Sequence, residues 1–216
     1  MSLIPIHAPF SSPDASITYV TSVHSGSGST AYTYSAVSLS VVDATRKIVV
    51  SCHAGFGTRT VSTLTVGGIS ATYVGRQSGG AYSVELWEAL VPTGASGNIV
   101  VTWSGAQNFC SIGVWAVYNA AATVTTTAIS TASPLSASVA VSAGGVSIAA
   151  AHTSDAATAT WTELTENYDT RADPVTFAAR MSGANKAYAA GASPTVTCTW
   201  TSSTSPAMVL AAWDKG

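Results

Sequence analysis

The chain has 216 residues, and charged side chains make up 8% of them, against roughly 25% in an ordinary soluble domain. Its 8 Lys and Arg are scattered and the formal net charge is -2, so no basic stripe is available to neutralise phosphates, which excludes a nucleic-acid partner. A hydrophobic fraction of 47% with so little charge excludes a disordered tail, and the lack of Glu, Lys and Leu heptads excludes a coiled coil.

The N-terminal segment MSLIPIHAPFSSPDAS has no basic start and no long apolar run. It does not read as a secretory signal, and residues 1–30 are expected to form an arm or an extra strand. No stretch approaches the ~20 apolar residues of a membrane helix, so membrane insertion is not expected. From there, alternation and β-branched content predict strands. In chain order they are Ile48 to Cys52, Val61 to Val66, Ile69 to Val74, Ser83 to Leu90, Asn98 to Trp103 and Ile112 to Tyr118. A Thr- and Ala-rich stretch, Ala120 to Pro134, reads as a linker or a crossing strand. Ser136 to Val141, Val146 to Ala151, Thr160 to Leu164, Val175 to Met181, Thr195 to Trp200 and Met208 to Trp213 follow. Turn signals separate them: Gly67-Gly68, Gly79-Gly80, Gly94 to Gly97, Gly144-Gly145 and Ser182-Gly183. No segment sustains a helical period, and Ala187 to Ala192 reads as loop.

The second half repeats the first. Ile48 to His53 matches Ser147 to His152, Asn98 to Trp103 matches Thr195 to Trp200, and Ile112 to Tyr118 matches Met208 to Trp213. Val84 to Trp87 and Val175 to Ala178 are expected to fill one slot. The repeated unit spans 31–216, with halves of about 31–120 and 134–214. The pattern predicts an all-β fold: a jelly-roll-like antiparallel β-sandwich with an internal duplication. Two small sandwiches in tandem are the alternative. A half alone buries only about 60–65% of its unfolded surface, which favours a shared core.

Val66-Gly67-Gly68-Ile69-Ser70-Ala71-Thr72, Val84-Glu85-Leu86-Trp87, Pro92 to Gly105 and Ile112 to Asn119 together resemble a recurrent β-rich unit. That unit, roughly 200 residues long, occurs in phage virion proteins and in large bacterial surface proteins. The resemblance runs from about residue 30 onward and brings no catalytic residue with it. It implies a virion structural protein (a decoration, head-fibre or tail-associated component) and no enzyme. It also implies other capsid or tail proteins as partners, with an extracellular or cell-surface location as the alternative. So little surface charge on a free monomer favours association, so a homo-oligomer is expected.

No catalytic, cofactor-binding or metal residue is assigned, and no cofactor is expected. His53 and His152 occupy equivalent strand ends and read as polar caps, since ligand partners at metal spacing are missing around them and around His7 and His24. Glu85 and Glu88, three apart on a strand, face opposite sides and cannot act as a glycosidase pair. Glu163, Glu166, Asp169, Arg171 and Asp173 form a charge cluster that reads as a solvated loop more than a calcium loop. Cys52, Cys110 and Cys198 lack zinc spacing and read as buried hydrophobes. Trp103, Trp200 and Trp213 are expected in the core. Trp87 and Trp115 are candidates for partial exposure, and with Arg76, Tyr82 and Glu85 they form the expected ligand or interface patch. A host-surface glycan is its possible partner, which makes a carbohydrate-binding module the second functional expectation; a hydrolase of unrecognised type is the third.

Overall fold

The computed structural model describes residues 12–55, 58–80, 82–124, 126–172 and 178–216. Among them there is no helix. The first half contains β1 (Ser16–Ser25), β2 (Ser29–Ser38), β3 (Lys47–Gly55), β4 (Val61–Val66), β5 (Ile69–Ser70), β6 (Thr72–Ser78), β7 (Tyr82–Leu90), β8 (Ser96–Gln107) and β9 (Cys110–Tyr118). The second contains β10 (Thr126–Ser130), β11 (Leu135–Ser138), β12 (Val146–Thr153), β13 (Ala159–Thr162), β14 (Thr165–Arg171), β15 (Arg180–Ala187), β16 (Thr195–Trp200) and β17 (Ala207–Trp213).

In the first half, a sheet of order β1-β9-β3-β7-β6 faces a sheet of order β2-β8-β4-β5. Successive strands crossing between two sheets in this order make a jelly roll, with β6 added at one edge. The second half has the orders β10-β17-β12-β15-β14 and β11-β16-β13. Replacing β1–β4 by β10–β13, and β6–β9 by β14–β17, turns one topology into the other; β5 alone has no counterpart. The register agrees residue by residue. His53 stands opposite Val84 and Ser111, and His152 stands opposite Met181 and Ala207.

The sheets stack in four layers, with three cores. Ile48, Val50 and Cys52 of β3 face the first half's own core, with Trp103. Ala149 and Ala151 of β12 face the second half's own core, with Trp200. The opposite faces, Val49 on β3 and Ile148 and Ala150 on β12, meet in a seam between the inner sheets, together with Leu86, Trp115, Tyr168, Val209 and Trp213. Each half is therefore a sandwich, and a third core fuses the pair. Inner strands covered on both faces have no solvent side, so β3 and β12 are buried at every position and their apolar residues run consecutively, Ile48 to Val50 and Ile148 to Ala151, instead of alternating.

Several strands lie where the sequence pattern is weak. β1, β2 and β14 are rich in Ser, Thr and polar residues and lack the alternation that predicts a strand. β10 lies within the stretch expected as a linker or a crossing strand, and pairs with β17. The slot of Val84 to Trp87 is held by Met181 to Ala184, opposite β12, and not by Val175 to Ala178. Residues 175–177 lie outside the described residues. Ser182-Gly183, expected as a turn, sits inside β15 because a side chain at Gly183 would collide with Tyr168. Trp213 stands at the register of Val117 and so faces the seam.

Candidate functional site

Along β7, Glu85 and Trp87 face the first half's core side, while Val84, Leu86 and Glu88 face the seam. Glu85 is 1% exposed. Its carboxylate accepts from Val61 N at 3.0 Å and Trp87 Nε1 at 3.0 Å, and lies 3.3 Å from Arg76 Nε. Burial raises its pKa, and these donors oppose the rise. β6 positions Arg76 opposite Glu85 and Tyr73 opposite Trp87. The Tyr73 ring meets Trp87 edge-on at 5.5 Å and is itself half exposed.

The structure thus brings Arg76, Glu85 and Trp87 together and separates them from Tyr82 and Trp115. Tyr82 packs against Phe109 at 5.7 Å and His152 at 6.1 Å, on the seam side. Trp115 is fully buried there and donates to Asn167 Oδ1 at 2.8 Å. The expected exposure of Trp87 and Trp115 is corrected: they are 9% and 0% exposed. Among the described residues the exposed aromatic is Tyr73, which period-2 reasoning passes over because it sits on an edge strand with a bulge after it.

The seam holds a second polar group. Tyr168 Oη lies 2.9 Å from Ser51 Oγ and 3.2 Å from His53 Nε2, and His53 Nε2 is 3.1 Å from Ser51 Oγ. A serine beside a histidine has the outline of a nucleophile and its base. Here both are sealed from solvent, and His53 Nδ1 has no hydrogen-bond partner to orient the ring. Burial pushes the His53 pKa well below its ordinary value. The cluster ties the two halves together through side-chain hydrogen bonds. Glu88 does the same at another point of the seam, accepting from Trp213 Nε1 at 2.6 Å and pairing with Lys47 at 3.3 Å. Glu85 and Glu88 do face opposite sides of β7.

Three members of the charge cluster lie on a strand and not in a loop: Glu166, Asp169 and Arg171 are on β14, where Asp169 accepts from Ala159 N at 3.1 Å and pairs with Arg180 at 3.5 Å. Glu163 pairs with Lys186 at 3.5 Å. Asp173 and His7 lie outside the described residues. Among the described residues no group of His, Cys, Asp and Glu could hold a metal ion. The three cysteines are free and buried. Shallow hollows open on the surface. One of about 400 Å³ runs between β1 and β2, lined by Val20, Val23, Tyr34 and Val37. Another, of about 520 Å³, is formed by the loops around Val141 and Ala192.

No family model, curated protein or solved structure matches the chain.

Proposed function

We propose that this chain is a non-enzymatic structural protein of a phage virion, a decoration, head-fibre or tail-associated component that works by subunit packing. The observation that carries this reading is where the reactive groups are. Glu85, Glu88, His53 and Ser51 are buried and engaged in bonds that hold strands and halves together. The resemblance of the Val66 to Thr72 and Val84 to Trp87 segments to virion units supports it. So does the distribution of charge, since no strand of either outer sheet contains Asp, Glu, Lys or Arg. Uncharged broad faces suit a protein covered by neighbours. Proteomics on density-banded particles tests it: many copies per particle are expected, and particles that lack the chain would overturn it.

A second reading, a glycan-binding module, is favoured by one feature. Tyr73, 51% exposed beside Trp87, offers an aromatic face for a sugar ring. A glycan array probed with the intact chain and with Tyr73→Ala tests it. Equal signals from the two proteins, or none from either, would remove it.

A further inference from the structure

The two halves are joined unequally at the two ends of the seam. At one end the chain itself crosses, from Tyr118 of β9 to Thr126 of β10. Backbone bonds reinforce the crossing: Ala121 N donates to Asp214 O, Gly216 N to Asn119 O and Ala15 N to Gly144 O, each at 2.7 Å. Glu88, bound to Lys47 and Trp213, lies here as well. Large side chains fill this end, with Trp115 in the row of Glu88 and Trp213 opposite Val146.

No chain crosses at the other end, about 20 Å along β3 from Lys47. There the seam collects three histidines. His24 and His53 both stand opposite Ser111, one on each side of it. His152 lies on the facing sheet, at the register equivalent to His53. His24 Nδ1 is 3.3 Å from Ser111 Oγ, which donates to Ala172 O of the second half. Tyr168 holds His53, and Tyr82 packs on His152. The apolar filling is thin: beside Phe109 and Met181 it consists of Ala172, Ala179 and Ala207, so little area resists parting of this end.

The surroundings of these rings offer nothing to a second proton. His53 Nδ1 has no hydrogen-bond partner, and neither has either nitrogen of His152, beside which the Ser205 backbone passes. The ionisable groups facing the rings are the phenols of Tyr168 from β14 and Tyr82 from β7. Glu85 of β7 holds Arg76 of β6 on the first core's side, where Cys52 and Cys110 also lie. Asp169 of β14 and Arg180 of β15 are bound to each other and to the Ala159 and Ala157 backbone, and Arg171 is exposed. Among the described residues, then, no carboxylate faces the histidines. Burial, and after it the nearness of His152 and His24, holds His53 well below its ordinary value. Water reaching the rings would accept their protons, so an open seam binds more protons than a closed one and acid favours it. Each histidine kept neutral shifts that balance about tenfold per pH unit below its ordinary value.

We propose that the seam is an acid-operated hinge: protonation of His53, His152 and His24 parts the histidine end, while the crossing end and the two outer cores hold. This is a property of the chain itself, whatever it assembles into. Paired spin labels on the full chain, read by electron–electron double resonance at about pH 7.5 and about pH 4.5, test it. Ser27→Cys with Ala156→Cys spans the histidine end from two exposed loops, and Val42→Cys with Ala143→Cys spans the crossing end. The native thiols are buried and stay unlabelled. In acid the first distance should lengthen and broaden and the second stay fixed, with far-ultraviolet circular dichroism unchanged. Returning to neutral pH should restore the first distance. Adding His53→Gln and His152→Phe should move the opening at least about one pH unit further into acid. A first distance that does not change in acid would overturn the hinge. So would both distances and the circular dichroism lost together, or an unmoved opening in the histidine variant. The first two of these are read on the chain with its histidines intact, so they decide the matter even if that variant does not fold.

Discussion

Tyr168, on the edge strand β14 of the second half, places its hydroxyl 2.9 Å from Ser51 Oγ of the first. Its ring occupies space that only two glycines leave open. A Cβ at Gly113 would come within 2.5 Å of the Tyr168 hydroxyl, and a Cβ at Gly183 within 2.4 Å of its ring. Tyr168→Phe leaves Ser51 and His53 without this partner and should cost about 1–2 kcal/mol. Gly113→Ala wedges the ring and should cost about 1–3 kcal/mol. Urea unfolding midpoints measure both, and an unshifted Gly113→Ala would show that the ring is free to move.

Arg46 makes the other unusual investment of polarity. A buried guanidinium with five carbonyl partners cannot be deleted quietly. Arg46→Met removes the guanidinium donor from each of those carbonyls and should lower stability by about 3–5 kcal/mol. Arg46→Lys should recover little, because a single ammonium cannot span acceptors that a planar fork reaches. Thermal melting of the three proteins decides it; a lysine variant that melts with the wild type would contradict the fork argument.

The seam should weaken in acid. Burial pushes the His152 pKa down to about 3, from an ordinary value of 6.5, and burial lowers that of His53 as well. Between those pH values the unfolded chain binds a proton that the folded chain refuses. The stabilisation is complete above about pH 6.5 and declines steadily as pH falls toward 3. At 1.36 kcal/mol per unit the loss reaches roughly a few kcal/mol for one histidine. Denaturant midpoints between neutral pH and pH 4 should fall more steeply for the wild type than for His152→Phe. Parallel slopes would show that His152 is not the group responsible.

The thiols should be silent. Cys52, Cys110 and Cys198 are all buried, and burial pushes the Cys110 pKa up to about 11, so the thiolate that reacts is scarce. A thiol reagent should label none of them in the native chain and all 3 in denaturant. Fast labelling of even one in the native chain would mean that a core opens readily.

Trp87 and Tyr73 separate folding from recognition. Trp87→Ala empties part of the first core and should cost about 3–5 kcal/mol. Tyr73→Ala removes an exposed ring and should change stability by no more than about 0.5 kcal/mol. Thermal melting checks both; a large shift for Tyr73→Ala would make that ring part of the core.

The inner strands are legible in the sequence because burial on both faces leaves little room for polar side chains. Val146 to Ala151 and Ile112 to Tyr118 show it directly, and so does the equivalence of His53 with His152. The edge strands are not legible, since one face of β1, β2 or β14 meets water or a partial cover and the Ser and Thr there carry no period. Arg46, Tyr168 and Tyr73 act through partners far away in sequence, such as Thr93, Ser51 and Trp87, and no local spacing announces them. The residues of the expected patch are divided for a related reason. Alternation places Glu85 and Trp87 on one face, but it cannot say that the face is covered or that Tyr82 and Trp115 look the other way.

The bare outer sheets have an electrostatic consequence. Two copies meeting broadside feel no like-charge repulsion and no attraction that salt could screen. Contact through those faces would respond to protein concentration and stay indifferent to ionic strength. Contact through a surface that carries charge, such as that of the exposed Glu163–Lys186 pair 3.5 Å apart, would not. A simple salt series therefore tells broadside stacking of this slab from contact through its charged edges.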